Sequence, residues 1–444
     1  MRDVTHEIEN STVDRAVLVG VDTGTREGEL SLTDSLEELG RLCDTLGVSI
    51  IGELTQKRDR IHPNTYIGKG KVRQLVDLVD DLKANVVICD DELTQRQQGN
   101  LEKALGDEVV VMDRTALILD IFALHATTRE GKLQVELATL QYELPRLRGK
   151  WTHLEAEKLG GGVGMRFGMG ESQLETDRRL ARRRISELTA LLRKVEAERG
   201  IQRSRREQSG VYRVALAGYT NAGKSTLLNT LTDADVLVYD KLFATLDSTT
   251  REMELPSGRK ITITDTVGFI SKLPHELIQA FKSTLEEVRQ SDLLLEVCDG
   301  SSPQVVEQIE AVQTVLDEID VKTTDRLLVI NKDDAIDQAT KERLASAYPD
   351  AVFISALTGE GIAGLRERIE QICVASQPPI RVLIPFGRGD LVQLAYDAAS
   401  VSEESYTEEG TLLTVQAAQP VISRLREFIT IEEDAQQARE NQKS

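Results

Sequence analysis

A chain of 444 residues with 40% hydrophobic content is too long for one ordinary core and holds enough apolar material to fill two to four. No apolar run approaches the length of a membrane span, and the acidic stretch Met1 to Asn10 lacks the basic-then-apolar pattern of a secretory signal, so a soluble, cytoplasmic protein is expected. The net charge of −20 argues against a general nucleic-acid binder, yet residues 146–208 carry 16 Lys+Arg against 9 Asp+Glu, a local +7 that leaves −27 on the rest of the chain.

Residues 1–130 alternate short β-branched runs (16–21, 48–54, 85–89 and 109–112) with helical patterns (35–46, 71–82 and 95–105), which predicts a small open α/β sheet domain. Over residues 131–209 the period becomes helical. Leu133, Leu137, Leu140 and Leu144 precede a glycine-rich break, and Leu174, Ala181, Ile185, Leu188, Leu192 and Val195 follow it. A long antiparallel helical hairpin with a flexible tip is expected, its polar faces carrying the basic cluster.

A second α/β region spans residues 210–376, ahead of the linker-like Gln377-Pro378-Pro379. Residues 380–444 hold two strand-like runs (381–384 and 411–415), helix-like stretches at 391–399 and 421–428, and an acidic tail, predicting a small α+β domain. The whole reads as a multidomain α/β protein.

The scattered cysteines (Cys43, Cys89, Cys298, Cys373) and five histidines show no metal or disulfide spacing, so buried reduced thiols are expected. The chain has 36 Arg to 18 Lys and a wide carboxylate excess, the pattern of proteins from high-salt cytoplasms such as those of halophilic archaea.

The chemistry sits in the third region. An apolar strand at 214–217 leads into Gly218-Tyr219-Thr220-Asn221-Ala222-Gly223-Lys224-Ser225-Thr226 and then an apolar helix. This is G-x-x-x-x-G-K-S in its strand–loop–helix setting, where backbone N–H groups and the helix N-terminus cradle phosphates. Lys224 would reach the β- and γ-phosphates and Ser225 would ligate Mg²⁺.

The strand at 261–264 ends in Asp265-Thr266-Val267-Gly268, whose carboxylate can hold Mg²⁺ through water and whose Gly268 N–H can face the γ-phosphate. The strand at 327–330 ends in Asn331-Lys332-Asp333-Asp334, and Asp334 can accept from guanine N1–H and its 2-amino group, a pattern adenine lacks. Residues 352–354 deliver Ser355-Ala356-Leu357, which would set a backbone N–H near guanine O6. GTP and GDP, not ATP, are the expected nucleotides.

Between these elements lies Phe243-Ala244-Thr245-Leu246-Asp247, a segment with little periodicity. Loops that sense a γ-phosphate supply a Thr to Mg²⁺; Thr245 is one candidate, with Ser248, Thr249 and Thr250 equal to it on chemistry alone. The residue after Gly268 is Phe269, which cannot orient a water as a Gln does, and Asn221 resembles an Asn that helps hold a K⁺ ion in several GTPases.

These strings, together with Asn64-Thr65-Tyr66-Ile67-Gly68-Lys69-Gly70-Lys71, Asp91-Glu92-Leu93-Thr94, the stretch from Gly131 to Ala138 and that from Gly160 to Arg179, resemble the HflX family of translational GTPases, close to the Obg group. The resemblance covers about residues 15–430. It implies GTP hydrolysis, Thr245 as the magnesium-binding Thr, and binding to the large ribosomal subunit and its rRNA with the hairpin directed at the peptidyl-transferase region, in ribosome dissociation, rescue or assembly. The tip departs from the family's G-G-x-G-x-R-G-P-G-E, reading Gly161 to Glu171 with an extra Phe167 and with Met169 in place of Pro. Candidate RNA contacts are Arg166, Arg178, Arg179, Arg182, Arg183 and Arg184; a monomer is expected. The alternative is a cytoplasmic switch acting on a protein effector.

Overall fold

The protein is described from a computed structural model over residues 14–24, 30–147, 169–208, 211–232, 242–243, 245–246, 248–272, 282–319, 321, 325–376, 379–417 and 419–430. Its N-terminal unit is built from β1 (Arg15–Asp22), α1 (Leu32–Leu46), β2 (Ser49–Lys57), α2 (Lys69–Leu82), β3 (Val86–Cys89), α3 (Gln95–Leu105), β4 (Val110–Asp113) and α4 (Arg114–His125). The strands form one parallel sheet in the order β2-β1-β3-β4. Side-chain caps start three of these helices: Ser31 accepts from Asp34 N, Thr94 and Gln97 form a reciprocal box, and Asp113 accepts from Ala116 N, while α2 starts at Gly68 without one.

Helix α4 was not anticipated from the sequence. It is apolar nearly all round, with Leu117, Ile118, Leu119, Ile121 and Phe122 all buried, because it packs on two sides at once.

The hairpin consists of α5 (Arg129–Glu143) and the 40-residue α6 (Met169–Gln208), which pack on each other. Met169 and Gly170, read above as part of the flexible tip, already belong to α6. The rest of the tip, Arg166 included, lies outside the described residues.

In the third unit β5 (Arg213–Gly218), α7 (Lys224–Thr232), β6 (Thr249–Glu254), β7 (Lys260–Asp265), α8 (Lys282–Arg289), β8 (Leu293–Asp299), α9 (Val305–Glu318), β9 (Asp325–Asn331), α10 (Gln338–Ala347), β10 (Val352–Phe353) and α11 (Ile362–Ala375) surround a six-stranded sheet ordered β10-β9-β8-β5-β7-β6. Every pairing is parallel except β6 with β7. This is the doubly wound sheet of P-loop proteins, and its ligand crevice lies beyond the strands' carboxyl ends.

The C-terminal unit, β11 (Ile380–Pro385), α12 (Gly389–Ala398), β12 (Ala399–Tyr406), β13 (Gly410–Ala417) and α13 (Gln419–Leu425), is an antiparallel sheet ordered β11-β13-β12.

One hydrophobic cluster crosses between the first and third units. It joins Leu36, Leu39, Leu119 and Phe122 to Tyr219, Leu242, Phe243, Leu246, Phe269 and Ile270. The loops that flank the nucleotide crevice are therefore cored partly by the N-terminal unit.

Candidate functional site: a nucleotide crevice

At Gly218 the central strand β5 stops and the chain curls through Tyr219 to Gly223 into α7. The curl needs left-handed backbone at Asn221 (φ 59°) and Gly223 (φ 89°). Asn tolerates that region. At 223 nothing but glycine fits, since a Cβ would lie 2.2 Å from Asn331 Nδ2.

Lys224 is buried and donates to the carbonyls of Gly218 (3.0 Å) and Tyr219 (2.9 Å). Burial pulls its ammonium down to about 8 against the opposing pull of Asp265. A polyphosphate beside it would supply the negative charge that this setting lacks.

Three oxygens from three elements meet next to it. Ser225 Oγ lies 2.6 Å from Thr245 Oγ1 and donates to Asp265 Oδ2 at 2.6 Å. Burial pushes the Asp265 carboxyl up, opposed chiefly by Lys224, and its Oδ1 is buried with no hydrogen-bond partner among the described residues. An all-oxygen set with an orphaned carboxylate oxygen fits a hard cation such as Mg²⁺. Of the competing hydroxyls, Thr249 and Thr250 lie in β6, where Thr250 pairs with Thr264 Oγ1 at 2.9 Å. Thr245 is the one brought to Ser225.

After Asp265 the chain runs along the loop: Phe269 N–H donates to Gly218 O (3.0 Å) and Thr220 N–H to Phe269 O (2.7 Å). This pairing holds Gly268 so close that a Cβ would meet Thr220 Cα at 3.0 Å and Lys224 Nζ at 3.1 Å. Phe269 itself is 1% exposed, turned into the shared core.

At the other end Asn331 is a brace. Its Nδ2 donates to Ala222 O (2.8 Å) and its Oδ1 accepts from Ala356 N (2.9 Å), tying the phosphate loop to the Ser355 loop. Lys332 takes a left-handed φ of 63° and pairs with Asp299 at 2.7 Å, while Asp333 pairs with Lys341 at 2.6 Å. Asp334 stays exposed at the crevice mouth.

The cavity measures about 450 Å³, within the range of small-molecule sites. Thr220, Asn221, Gly223, Lys224, Ser225, Thr226, Phe243, Thr245, Thr266, Gly268, Asn331, Lys332, Asp334, Ala356 and Leu357 line it. The remaining candidates serve it from behind. Tyr219, Leu246 and Val267 are buried in the shared core, and Ser355 caps its loop by accepting from Thr358 N (3.1 Å); of the lining residues, Thr266 turns its Oγ1 to Leu216 O (2.7 Å). Ala244 and Asp247 lie outside the described residues.

Five residues that sequence reasoning passed over stand behind the crevice. Buried Arg114 pairs with Glu38 (2.7 Å) and Asp90 (2.6 Å); Lys272 bonds Asp90 and, at 2.7 Å, Asp91; Phe122 packs edge-on against Phe243. Asp91 also accepts from Tyr66 Oη at 2.6 Å, so two strings that read as family signatures, around Tyr66 and around Asp91, meet here.

On the hairpin the arginines divide. Arg184 is committed to Glu136 of α5 through two bonds of 2.7 and 2.9 Å, Arg183 bonds Glu187 at 3.1 Å, and Arg178 reaches Leu147 O. Arg182 lies 3.7 Å from Glu175, and both are largely exposed. Arg179 is exposed too. Among the described side chains of the expected inward stripe only Leu188 is fully buried; Ile185 and Leu192 are half-buried.

Three family models match this chain in succession: GTP-binding GTPase N-terminal over residues 33–123, GTP-binding GTPase Middle Region over 125–206, and 50S ribosome-binding GTPase over 213–332. A GTPase HflX of Caldanaerobacter subterraneus subsp. tengcongensis is 45% identical over 416 residues, covering 94% of each chain. One from Lacrimispora saccharolytica is 45% identical over 412 residues, covering 93% of this chain and 95% of its own. A solved structure of a GTP-binding protein from the hyperthermophilic archaeon Sulfolobus solfataricus, in complex with GDP, is 25% identical over 82% of this chain and 100% of its own, with a TM-score of 0.40.

Proposed function

We propose that this chain, which belongs to the HflX family of GTPases and hydrolyses GTP, does so as a cytoplasmic factor that binds the large ribosomal subunit in its GTP state. The observation that carries the proposal is the exposed basic face of α6, with Arg179 and Arg182, projecting from an otherwise strongly acidic chain, in a protein whose third unit matches a family described as ribosome-binding. Arginine forks grip phosphate oxygens bidentately. We take the chain as four domains (residues 1–130, 131–209, 210–376 and 380–444), with the hairpin as the RNA-facing arm, in ribosome dissociation, rescue or assembly.

For the reaction, Asp334 reads guanine from the crevice mouth, the N–H groups from Asn221 to Ser225 hold the phosphates, and Lys224 neutralises the β- and γ-phosphate charge. Ser225, Thr245 and Asp265 are the residues that would hold Mg²⁺, which when bound offsets phosphate charge. Gly268 offers its N–H to the γ-phosphate. Phe269 can accept no proton, so charge developing in the transition state is met elsewhere, and we assign Asn221 to help hold K⁺. The direct test is cosedimentation with large ribosomal subunits in each nucleotide state.

A further inference from the structure

We propose that Phe122, a residue of the N-terminal unit, is a positioning residue for Thr245 and thereby sets how strongly the crevice prefers GTP over GDP. The inference rests on the reading above of Thr245 as a Mg²⁺ ligand. Phe122 and Phe243 meet edge to face, ring centroids 4.7 Å apart and planes at 84°, and both are essentially buried, at 1% and 2% exposure.

Phe243 has a φ of 58°, a left-handed backbone that a residue with a bulky side chain keeps only where its surroundings fix it. Here the surroundings are the shared core, in which Leu242 and Leu246 on either side are buried as well. Thr245 is two residues from Phe243, and two residues of chain span at most about 7 Å, so holding the ring restricts the hydroxyl. That hydroxyl is where the site uses it, 2.6 Å from Ser225 Oγ, which itself donates to Asp265 Oδ2 at 2.6 Å.

Of the described residues here, Leu242, Phe243, Thr245 and Leu246, none lies in a helix or strand that would hold it there. The grip comes from α4, none of whose residues lines the crevice. A residue that holds Thr245 inward favours whichever ligand state uses Thr245, namely Mg²⁺ with a γ-phosphate, and is indifferent to GDP.

The experiment measures, by fluorescent-nucleotide titration of the full chain, the Kd of GDP and of a non-hydrolysable GTP analogue, with Mg²⁺ and with chelator, for Phe122→Leu, Phe243→Leu, the double variant and Thr245→Ala. If the fraction of molecules holding Thr245 inward falls to about a tenth, Phe122→Leu weakens the Mg²⁺-dependent analogue affinity about tenfold. GDP affinity stays at the parent value, which also reports a folded crevice. The loss disappears in chelator, and the double variant is no worse than the worse single one, because both remove the same contact.

Equal weakening of GDP and analogue, or a loss that persists in chelator, overturns the proposal in favour of a general packing role. So does additivity of the two Phe variants. If Thr245→Ala leaves the analogue's affinity untouched, the assignment of Thr245 has failed instead; if Thr245→Ala weakens it and Phe122→Leu does not, the assignment stands and the positioning role falls.

Discussion

Tyr219 sits inside the phosphate loop, yet its hydroxyl donates to Glu38 on α1 of the N-terminal unit and accepts the Ser271 N–H at 2.7 Å. One side chain thus joins the phosphate loop, the segment after Gly268 and the N-terminal unit. Its position in the G-x-x-x-x-G-K-S string suggested a nucleotide contact; only its backbone, through the carbonyl that accepts from Lys224, serves the crevice.

Tyr219→Phe keeps the ring in the shared core and removes the hydroxyl. Ser271 N–H then loses its acceptor and Glu38 a donor, a cost of about 1–3 kcal/mol to unfolding stability. GDP affinity should not change, because the hydroxyl faces away from the cavity. Denaturant unfolding beside GDP titration checks both; a variant as stable as the parent would show the bond to be idle.

The charge cluster behind the crevice predicts an acid limb. Burial would raise the Asp90 carboxyl, but Arg114 and Lys272 outweigh it and hold the group below its ordinary range, while burial raises the neighbouring Glu38 despite Arg114. A carboxyl depressed in the folded state contributes stability that is complete above its ordinary pKa of about 4 and is lost as pH falls through the lower folded value. Asp90→Asn leaves buried Arg114 short of a partner and should cost about 3–5 kcal/mol. Its melting temperature should also fall less steeply than the parent's from about pH 5 downward. Parallel acid limbs in parent and variant would contradict this assignment.

Asp334→Asn exchanges an acceptor for an amide that can donate to the 2-oxygen of xanthine. Preference should move from GTP towards XTP. Competition binding with the two nucleotides decides it, and unchanged GTP affinity with no XTP binding would remove Asp334 from base reading.

Hydrolysis should run faster in K⁺ than in Na⁺ at equal ionic strength, and Asn221→Ala should abolish the difference while GDP binding persists. Single-turnover phosphate release in the two salts is the measurement. Equal rates in the parent would end the K⁺ assignment.

The elements that carry the nucleotide crevice were legible because each motif sits where a strand ends, and the strands 214–217, 261–264 and 327–330 all lie inside observed β5, β7 and β9. The convergence of Ser225, Thr245 and Asp265 was only partly so, since four hydroxyls shared one loop until the fold put Thr249 and Thr250 into β6. Helix α4 escaped because a helix buried on two sides has no apolar stripe to read. The residues it contributes, Arg114 and Phe122, act through partners far along the chain, which no local pattern encodes. Strand β12 escaped for the opposite reason: Ser402, Glu403, Glu404 and Ser405 are exposed on an edge and read as loop.

Arg184 illustrates how the fold reassigns a charge. Bonded twice to Glu136, it ties the two helices of the hairpin together, so its reversal would disturb the arm itself. Arg179 and Arg182, exposed, and Arg183, held among the described residues only by an exposed Glu187, are the residues to reverse.

The most direct measurement is therefore cosedimentation of the parent and of the Arg179→Glu, Arg182→Glu, Arg183→Glu variant with isolated large ribosomal subunits, across about 50 to 200 mM salt. The parent should pellet with the subunits in the presence of a non-hydrolysable GTP analogue, much less so with GDP, and progressively less as salt rises. The variant should bind weakly with a flatter salt dependence while retaining its GTP affinity. Cosedimentation of the variant equal to the parent's at every salt concentration, or binding by the parent that ignores the nucleotide, would contradict the account.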